Sequence, residues 1–453
     1  MKWRTIAEEA VLFTSVIKWI VLASCTGVIV GLAATVFLTL LSSALNIVDR
    51  YHYAFLLLPV AFFLSSFLTR YLAPDAEGHG TEKVIEAIHR HASKIPLAVV
   101  PVKLFTTIVT LAIGGSAGKE GPCAQIGAAL ASFLARLLRF GERDRRKLVI
   151  CGISAGFATV FGTPIAGAIF GVEVLFIGSL LYDVLLPSFI AGVTAYQISS
   201  FFEIPYLHTS SVVVPAISET LLLKVVLSGI IFGFVSLLLT EGMRIGHRLS
   251  GKLRMWPPLK GVFGGCLLVL LTFILGRQYL GLGLETVRSC LNGESVSWYA
   301  PFLKIVFTSI TLNWGGSGGI VTPIFFIGAT AGSALGSVFQ IDVGMLSAIG
   351  FVSLLAGAAN TPISASIMAV EMFGSSIGPY AAVACIVSYL ITGHRSVYPS
   401  QILAVRKSSS LDAQMGEEIQ AIQVSFHQRK KTVSSMIVNV WRKAKDRWRK
   451  PEE

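Results

Sequence analysis

Hydrophobic residues in this chain form long, nearly continuous runs. Short polar or glycine-rich segments separate these runs. A helix needs about 20 apolar residues to cross the hydrocarbon core of a bilayer, and several runs approach or exceed that length. The pattern therefore predicts an all-α, polytopic membrane protein. The principal runs cover residues 20–45, 54–68, 96–113, 122–140, 221–239, 261–275, 301–312 and 377–391.

Composition and charge agree with a membrane location. The 453 residues are 53% hydrophobic and only 14% charged, whereas about 25% of residues are charged in a typical soluble domain. The net charge is +12, and many of the basic residues follow Arg406. Because positive charge beside membrane spans usually marks the cytoplasmic side, we expect lipid contacts there and no nucleic-acid partner. The prediction is an integral protein of a prokaryotic plasma membrane, with both termini cytoplasmic.

One carboxylate stands among glycines in the middle of apolar sequence, in the stretch 113–128. Glu120 precedes Pro122, and proline suits the first turn of a helix, where its missing N–H costs nothing. We therefore expect Glu120 at a helix N-terminus, whose partial positive charge favours an anion. Interrupted backbone at membrane depth is tolerated where it is buried or lines a cavity, so this stretch predicts an ion site.

A second copy of the motif follows at 315–329. Both copies read Gly-Gly-Ser-x-Gly, then proline, then Ile-Gly-Ala, so that Gly114 aligns with Gly315 and Pro122 with Pro323. Glu120 falls opposite Val321, and only the first copy carries the acid. Matching interruptions in two halves of a membrane protein indicate inverted-topology repeats with a site between them.

The correspondence continues beyond this motif and divides the chain. Thr-Pro-Ile occurs at 163–165 and again at 361–363, and each proline precedes a glutamate, Glu173 or Glu371, by nine residues. We expect these two glutamates to cap or brace neighbouring helices. The predicted division is an amphipathic cytoplasmic segment (1–19), repeat 1 (20–200), a connection (201–214), repeat 2 (215–400) and a short basic cytoplasmic tail (401–453). Within the tail, 428–453 predicts a basic amphipathic helix on the membrane face, with a disordered charged tail as the alternative.

Enzyme chemistry is a remote alternative. Gly-x-Ser-x-Gly surrounds Ser116, Ser154 and Ser317, but the serine-hydrolase elbow needs a strand before the serine, and apolar helical sequence stands there instead. We expect these serines to cap or pack helices rather than to form an intramembrane serine hydrolase. The six cysteines show no pairwise motif, so we predict neither a disulfide nor a metal site, and no cofactor.

Four motifs together resemble the CLC family of chloride channels and proton/chloride exchangers. Gly-Lys-Glu-Gly-Pro at 118–122 is similar to the family's gating-glutamate motif, and Gly-Gly-Ile-Val-Thr-Pro at 318–323 to its second pore motif. Gly78-His79-Gly80 stands where the first anion motif occurs, and Tyr398 where the pore tyrosine occurs. The four motifs follow the family's order, which makes the set specific.

The resemblance implies a homodimer of inverted-repeat subunits, with one pore for chloride or a related small anion in each. Glu120 would be the gate, opened by protonation or by displacement with chloride. The role of Lys119 stays open between attracting anions and pairing locally. The implied anion-binding residues are Gly78, His79, Gly80, Lys119, Gly121, Ile320, Val321 and Tyr398.

Two positions depart from the family pattern and bear on function. His79 replaces the usual serine or proline, which leaves the anion selectivity open. Val174 stands where family exchangers often carry a proton-transferring glutamate, and valine cannot carry a proton. The prediction is therefore a passive voltage- or pH-dependent chloride channel without the family's paired nucleotide-binding domains. The alternative is an antiporter that exchanges chloride, or another anion, for protons.

Overall fold

The protein, represented by a computed structural model, is described over residues 2–207, 212–215, 218–422 and 425–426. Sixteen α-helices make up most of this described part, and four two-residue strands accompany them. The helices are α1 (Lys2–Val48), α2 (Leu58–Leu72), α3 (Thr81–Arg90), α4 (Val99–Ala112), α5 (Glu120–Leu137), α6 (Glu142–Phe161), α7 (Pro164–Glu173), α8 (Tyr182–Phe201), α9 (Glu219–Lys252), α10 (Pro257–Leu275), α11 (Leu284–Leu291), α12 (Ala300–Asn313), α13 (Val321–Phe339), α14 (Val343–Ala359), α15 (Pro362–Phe373) and α16 (Gly378–Thr392). The strands are β1 (Phe176–Ile177), β2 (Ile402–Leu403), β3 (Leu411–Asp412) and β4 (Ser425–Phe426).

Seven segments of the described part are long and apolar enough to cross a membrane. Other apolar helices have only 10–17 residues, and a 14-residue helix such as α4 is about 21 Å long, shorter than the hydrocarbon core. Helices of this length are too short to cross the hydrocarbon core alone. The seven longer segments are Ala7–Val48, Ala54–Leu72, Tyr182–Phe201, Glu219–Lys252, Pro257–Leu275, Val321–Phe339 and Ser375–Thr392.

The two repeats meet where their glycine motifs unwind. Gly118 N–H donates to the Gly319 carbonyl at 2.7 Å, and Gly319 N–H donates to the Gly118 carbonyl at 2.6 Å. The two segments run antiparallel, and each leads directly into a helix, α5 in repeat 1 and α13 in repeat 2. The predicted all-α architecture of two inverted repeats with broken helices is thus confirmed.

Small residues allow corresponding helix pairs to approach closely in both repeats. A Cβ atom on Gly127 of α5 would collide with the Gly152 carbonyl of α6, and one on Gly328 of α13 would collide with the Gly350 carbonyl of α14. Close backbone approach of this kind supplies packing between helices in a membrane, where no hydrophobic driving force exists between them. These matched contacts hold the helices that begin at the two glycine motifs.

The boundaries differ from the predictions at three charged segments. The expected amphipathic helix over 1–19 is not separate, because α1 runs unbroken from Lys2 to Val48 and no proline or glycine precedes Gly27. The polar stretch after Glu241 lies beyond the apolar run 221–239, yet it continues α9 to Lys252. The charged stretch 141–147 follows the apolar run 122–140, and it begins α6 because its acids at 142 and 144 favour a helix N-terminus.

Glu173 and Glu371 cap each other's repeat, which confirms the capping role expected from their spacing. The Glu173 carboxylate accepts hydrogen bonds from Ile363 N at 3.0 Å and Ser364 N at 2.8 Å, at the start of α15. Reciprocally, the Glu371 carboxylate accepts from Ile165 N at 2.9 Å and Ala166 N at 2.8 Å, at the start of α7. Each carboxylate satisfies helix N–H groups that have no partner within the helix.

We expect Glu173→Ala to lower the unfolding temperature in detergent more than Glu371→Ala does. Loss of an N-terminal cap costs about 0.5–2 kcal/mol, and the side chain of Glu173 is 5% exposed, whereas Glu371 is less buried. Glu173→Gln keeps an acceptor oxygen and should fall between wild type and Glu173→Ala. An unfolding temperature of Glu173→Ala equal to that of wild type would contradict the capping role.

After α16 the chain turns back across one face of the molecule as residues 398–422, which we call the C-terminal strap. Strand β2 in the strap pairs in parallel with β1, which follows α7. The Gln401 side chain donates to the carbonyls of Val174, at 2.7 Å, and Ala359, at 2.8 Å. Arg90 Nε at the end of α3 donates to Glu418 at 2.6 Å. The strap therefore contacts both repeats, and in repeat 1 it reaches α3. The amphipathic helix predicted over 428–453 lies outside the described residues.

Candidate functional site

Glu120, the first residue of α5, reaches across to the other repeat. One carboxylate oxygen accepts a hydrogen bond from Val321 N at 2.6 Å, and the other accepts one from the Thr322 hydroxyl at 2.7 Å. The side chain is fully buried. A Cβ atom on either Gly118 or Gly319 would collide with the carboxylate, so these two glycines provide the space that it occupies.

The helix terminus that holds this carboxylate is not the one that the sequence predicted. The prediction placed Glu120 in the field of its own helix, but the amide donor belongs to the start of α13. An α-helix begins with N–H groups that lack intrahelical partners, and its partial positive charge favours an anion there. Thr322 was missed altogether, and its position directly before Pro323 of the repeated motif was the available signal.

The turn Gly78-His79-Gly80 packs against the start of α5. A Cβ atom on Gly80 would collide with the Gly121 carbonyl, and one on Gly121 would collide with the His79 carbonyl. Gly80 has φ +75°, a conformation that favours glycine. The structure thus brings the predicted residues Gly78 to Gly80, Glu120, Gly121 and Val321 together where the three segments meet.

Two buried lysines, which the sequence analysis missed, hold equivalent turns in the two repeats. Lys103 on α4 donates to the carbonyls of Ala76 at 3.0 Å and Gly78 at 2.6 Å. Lys304 on α12 donates to the carbonyls of Tyr279 at 3.1 Å and Gly281 at 2.8 Å. Both side chains are fully buried. A single lysine within each otherwise apolar helix, downstream of a Gly-x-Gly turn, was the signal that could have found them.

His79 and Tyr398 place two polar side chains beside each other, on the side of the site nearest the strap. Their ring centroids are 5.7 Å apart, and Tyr398 is fully buried. The Nδ1 atom of His79 and the hydroxyl of Tyr398 are both buried without a hydrogen-bond partner. Tyr398 also interacts electrostatically with Glu120. Because a phenol and an imidazole can both donate hydrogen bonds, this pair can contact an anion.

The two remaining predicted residues, Ile320 and Lys119, directly precede the helices that meet at Glu120. Ile320 is the residue before α13, and its carbonyl accepts the Ile324 amide at 3.0 Å. Lys119 precedes α5 and interacts electrostatically with Glu120, Cys123 and Arg288 of α11. The charge of Lys119 is therefore attracted by the acid and repelled by a second cation.

The hydroxyl groups of the three serines in Gly-x-Ser-x-Gly sequences form hydrogen bonds to neighbouring helices. The Ser116 hydroxyl lies 3.1 Å from the Thr308 hydroxyl, and the Ser154 hydroxyl donates to the Ala168 carbonyl at 3.2 Å. Ser317 bonds to the hydroxyls of Thr106 and Thr107, each at 3.1 Å. These partners are hydroxyls and a carbonyl rather than a histidine or carboxylate base, which agrees with the packing role that the sequence predicts.

Comparison with known proteins identifies the family. The family profile described as "Voltage gated chloride channel" matches residues 60–393. The chain belongs to the CLC family. A "Chloride/fluoride channel protein" from Pseudomonas syringae pv. tomato is 38% identical over 405 residues, which cover 87% of this chain and 88% of that protein. An uncharacterised protein of Methanocaldococcus jannaschii is 26% identical, over 85% of this chain and 96% of that protein.

Solved structures of CLC proteins share the fold. A CLC-type fluoride/proton antiporter superposes with a TM-score of 0.81 and 29% identity, over 85% of this chain and 97% of that one. A slow cyanobacterial chloride/proton antiporter superposes with a TM-score of 0.72 and 21% identity, over 83% of this chain and 94% of that one. The protein is therefore an integral membrane protein of a family that transports anions. The bacterial relative is named a channel and the solved neighbours are antiporters, so the passive mechanism expected from Val174 stays a prediction.

Proposed function

We propose that this CLC protein exchanges a small halide, fluoride or chloride, for protons, and that Glu120 is the gate. The observation that carries the proposal is the enclosed Glu120 carboxylate, bound by the Val321 amide and the Thr322 hydroxyl between the two repeats. The donors that hold this carboxylate are equally suited to a halide. A negative group of the protein thus occupies a place where a transported anion would bind.

Competition for these donors links the anion to the proton. Two negative charges in one small, low-dielectric site repel each other, so a halide and an ionised Glu120 exclude one another there. Protonation removes the charge of Glu120 and weakens its hold on Val321 N, which frees the donor for a halide. Alternating occupation by carboxylate and halide therefore couples proton uptake to anion movement in the opposite direction.

The nature of the anion is proposed from the relatives together with the donors of the site. The Pseudomonas protein is named for chloride and fluoride, and the structural neighbour with 29% identity is a fluoride/proton antiporter. In this chain, the Val321 amide, His79 and Tyr398 offer N–H and O–H donors to a compact anion. We propose fluoride and chloride as the substrates to test first.

Passive chloride conduction is the second candidate, and Val174 favours it. The Val174 side chain is buried and apolar, and its carbonyl is bonded to Gln401, so this position supplies no proton-carrying group. The reversal potential in liposomes with a pH gradient and a fixed halide gradient separates the two candidates. Exchange requires the reversal potential to move with the pH gradient, whereas a value set by the halide alone would establish the channel.

The basic C-terminal residues and the membership of the CLC family support a proposal for the oligomeric state, the membrane and the orientation of the protein. We propose that the protein is a homodimer in the plasma membrane of a prokaryote, with the C-terminal strap and both termini in the cytoplasm. The basic residues after Arg406 support this orientation, because positive charge is retained on the cytoplasmic side. Accessibility labelling of single cysteines introduced into the strap, in right-side-out and inside-out vesicles, tests the orientation.

Thr322→Val tests the role of the hydroxyl that binds Glu120. The change removes one hydrogen bond to the carboxylate at nearly constant shape, and a hydrogen bond to a charged group contributes about 1.5–3 kcal/mol. We expect the gate to open more readily, so that halide flux at neutral pH rises severalfold in liposomes. Thr330→Val, which removes a buried hydroxyl bonded to carbonyls within α13, is the control. Equal flux in wild type and Thr322→Val would contradict a stabilising role for this contact.

A further inference from the structure

Glu82, in the first turn of α3, has a carboxylate with one satisfied and one unsatisfied oxygen. Its Oε1 atom accepts hydrogen bonds from the Ser400 amide at 3.0 Å and the Ser400 hydroxyl at 2.6 Å. Its Oε2 atom is buried without a partner. Among the side chains that the structure describes, this is the one buried carboxylate oxygen left unpaired. An unpaired buried polar atom costs about 1–3 kcal/mol, so its retention calls for a reason.

Two other buried polar atoms in the same segments also lack a hydrogen-bond partner. They are His79 Nδ1 and the Tyr398 hydroxyl, and the rings that carry them have centroids 5.7 Å apart. Tyr398 interacts electrostatically with both Glu82 and Glu120. Thr81 is also close to the phenol, but no hydrogen bond of normal geometry reaches the phenol oxygen. The Tyr398 hydroxyl can both accept and donate a proton, and it interacts electrostatically with both acids without being hydrogen-bonded to either in this conformation.

The surroundings of Glu82 suit a group that gains and loses protons near neutral pH. Helix α3 lies outside the apolar segments of the fold. Burial raises the pKa of Glu82 to about 7, while the Ser400 hydrogen bonds and the cation of Lys83 lower it and the negative charge of Glu86 raises it further. Arg90 at the far end of α3 and the Tyr398 phenol of the strap are the other ionisable groups that interact with Glu82.

Three other carboxylates on this side of the molecule, those of Glu173, Glu86 and Glu418, already form hydrogen bonds or ion pairs. Both oxygens of Glu173 accept backbone N–H groups of α15. Glu86 forms ion pairs with Lys83 at 3.0 Å and Arg90 at 3.7 Å, and Glu418 pairs with Arg90. These carboxylates have structural partners, whereas Glu82 has an oxygen free to bind a proton.

We propose that Glu82 carries protons between the cytoplasm and Glu120, in the place of the acid that Val174 does not supply. The inference rests on the proposed exchange of halide for protons. In the proposed step, Glu82 Oε2 takes a proton from cytoplasmic water when local motion exposes it. The O–H bond then breaks as the proton passes to the Tyr398 oxygen, once the two side chains come within hydrogen-bond distance. Tyr398 releases its own proton to the Glu120 carboxylate. Glu82 and Tyr398 return to their starting states, and one proton has moved to the gate.

Glu82→Gln tests the proposal, with Glu285→Gln as the matched control. Glu285 occupies the equivalent position after Gly281-Leu-Gly283 in repeat 2, and it is exposed. Glutamine keeps an oxygen that can accept both Ser400 hydrogen bonds, but it cannot carry a proton. Halide and proton fluxes are measured together in proteoliposomes, with a fluoride or chloride electrode and a pH electrode. We expect the proton-to-halide ratio of Glu82→Gln to fall by about tenfold or more, as for loss of a proton-transfer group, while Glu285→Gln matches wild type.

Each result supports or overturns the proposal. An unchanged ratio in Glu82→Gln overturns the role of Glu82 and leaves the proposed exchange intact. Wild-type protein that moves halide without protons overturns both proposals, and wild type that moves no halide overturns the transport function itself.

Glu82→Asp separates acid chemistry from shape. We expect it to retain proton flux, because it keeps the carboxyl group. An aspartate variant that folds but loses proton flux as fully as the glutamine variant assigns the effect to side-chain shape and overturns the relay. The same variant keeps the test valid if Glu82→Gln does not fold, which thermal unfolding in detergent shows.

Discussion

Glu120→Gln should transport halide at a rate that no longer depends on pH. Under the proposed gating, the protonated acid leaves Val321 N and Thr322, so we expect the flux of wild type to rise as pH falls. Glutamine resembles the protonated acid at every pH, and its weaker hydrogen bonds leave the site open to a halide. We also expect the proton flux that accompanies halide to fall by about tenfold or more, because the proton-accepting group is gone. Fluxes measured in proteoliposomes across a series of pH values check both effects.

Glu294→Gln is the control for the change of charge. Glu294 is exposed in the segment after α11, away from the three segments that meet at Glu120, and its substitution should leave the pH profile as in wild type. A Glu120→Gln protein with the wild-type pH profile and proton flux would show that another group gates the pathway.

Gly319→Ala should displace the Glu120 carboxylate and destabilise the protein. The new Cβ would collide with the side-chain oxygen Oε1 of Glu120 and would lie 2.7 Å from the backbone nitrogen of Gly121. Both atoms belong to the other repeat. Overpacking of a tight site costs about 1–3 kcal/mol, and part of that cost is relieved if the carboxylate leaves. We therefore expect a lower unfolding temperature in detergent together with a halide flux that is higher at neutral pH and less dependent on pH.

Gly141→Ala provides the matched glycine control. Nothing lies within 4 Å of the position that its Cβ would take, and its φ of −67° is accessible to alanine. This variant should keep the wild-type unfolding temperature and flux. If Gly319→Ala behaves in the same way in both measurements, the packing of Gly319 against the gate is not what holds Glu120 in place.

Local pattern was enough to predict the class of fold and the position of the acid. Apolar runs indicated membrane helices, since a segment in lipid must satisfy its own backbone groups. The glycines around Glu120, repeated around Val321, indicated two broken helices in corresponding places. The repeated Thr-Pro-Ile motif also predicted that Glu173 and Glu371 cap neighbouring helices, as they do at the starts of α15 and α7. The predicted positions of helix ends in charged sequence were wrong, as at α1 and α9. Hydropathy indicates only how far a helix contacts lipid, and these helices continue beyond that limit.

Tertiary structure alone decided which groups meet at the site. Val321 donates to an acid that lies 201 residues away, and Ser400 donates to one that lies 318 residues away. Periodicity along one segment contains no information about the partner segment across the interface, so the groups that bind Thr322, Lys103 and Glu82 could not be predicted from the sequence. Sequence patterns were sufficient to predict a membrane-embedded pair of repeats with a single acid at a helix start. The packing of the repeats determined that this acid is bound by the opposite repeat, because only that packing brings the free amides of α13 to its carboxylate.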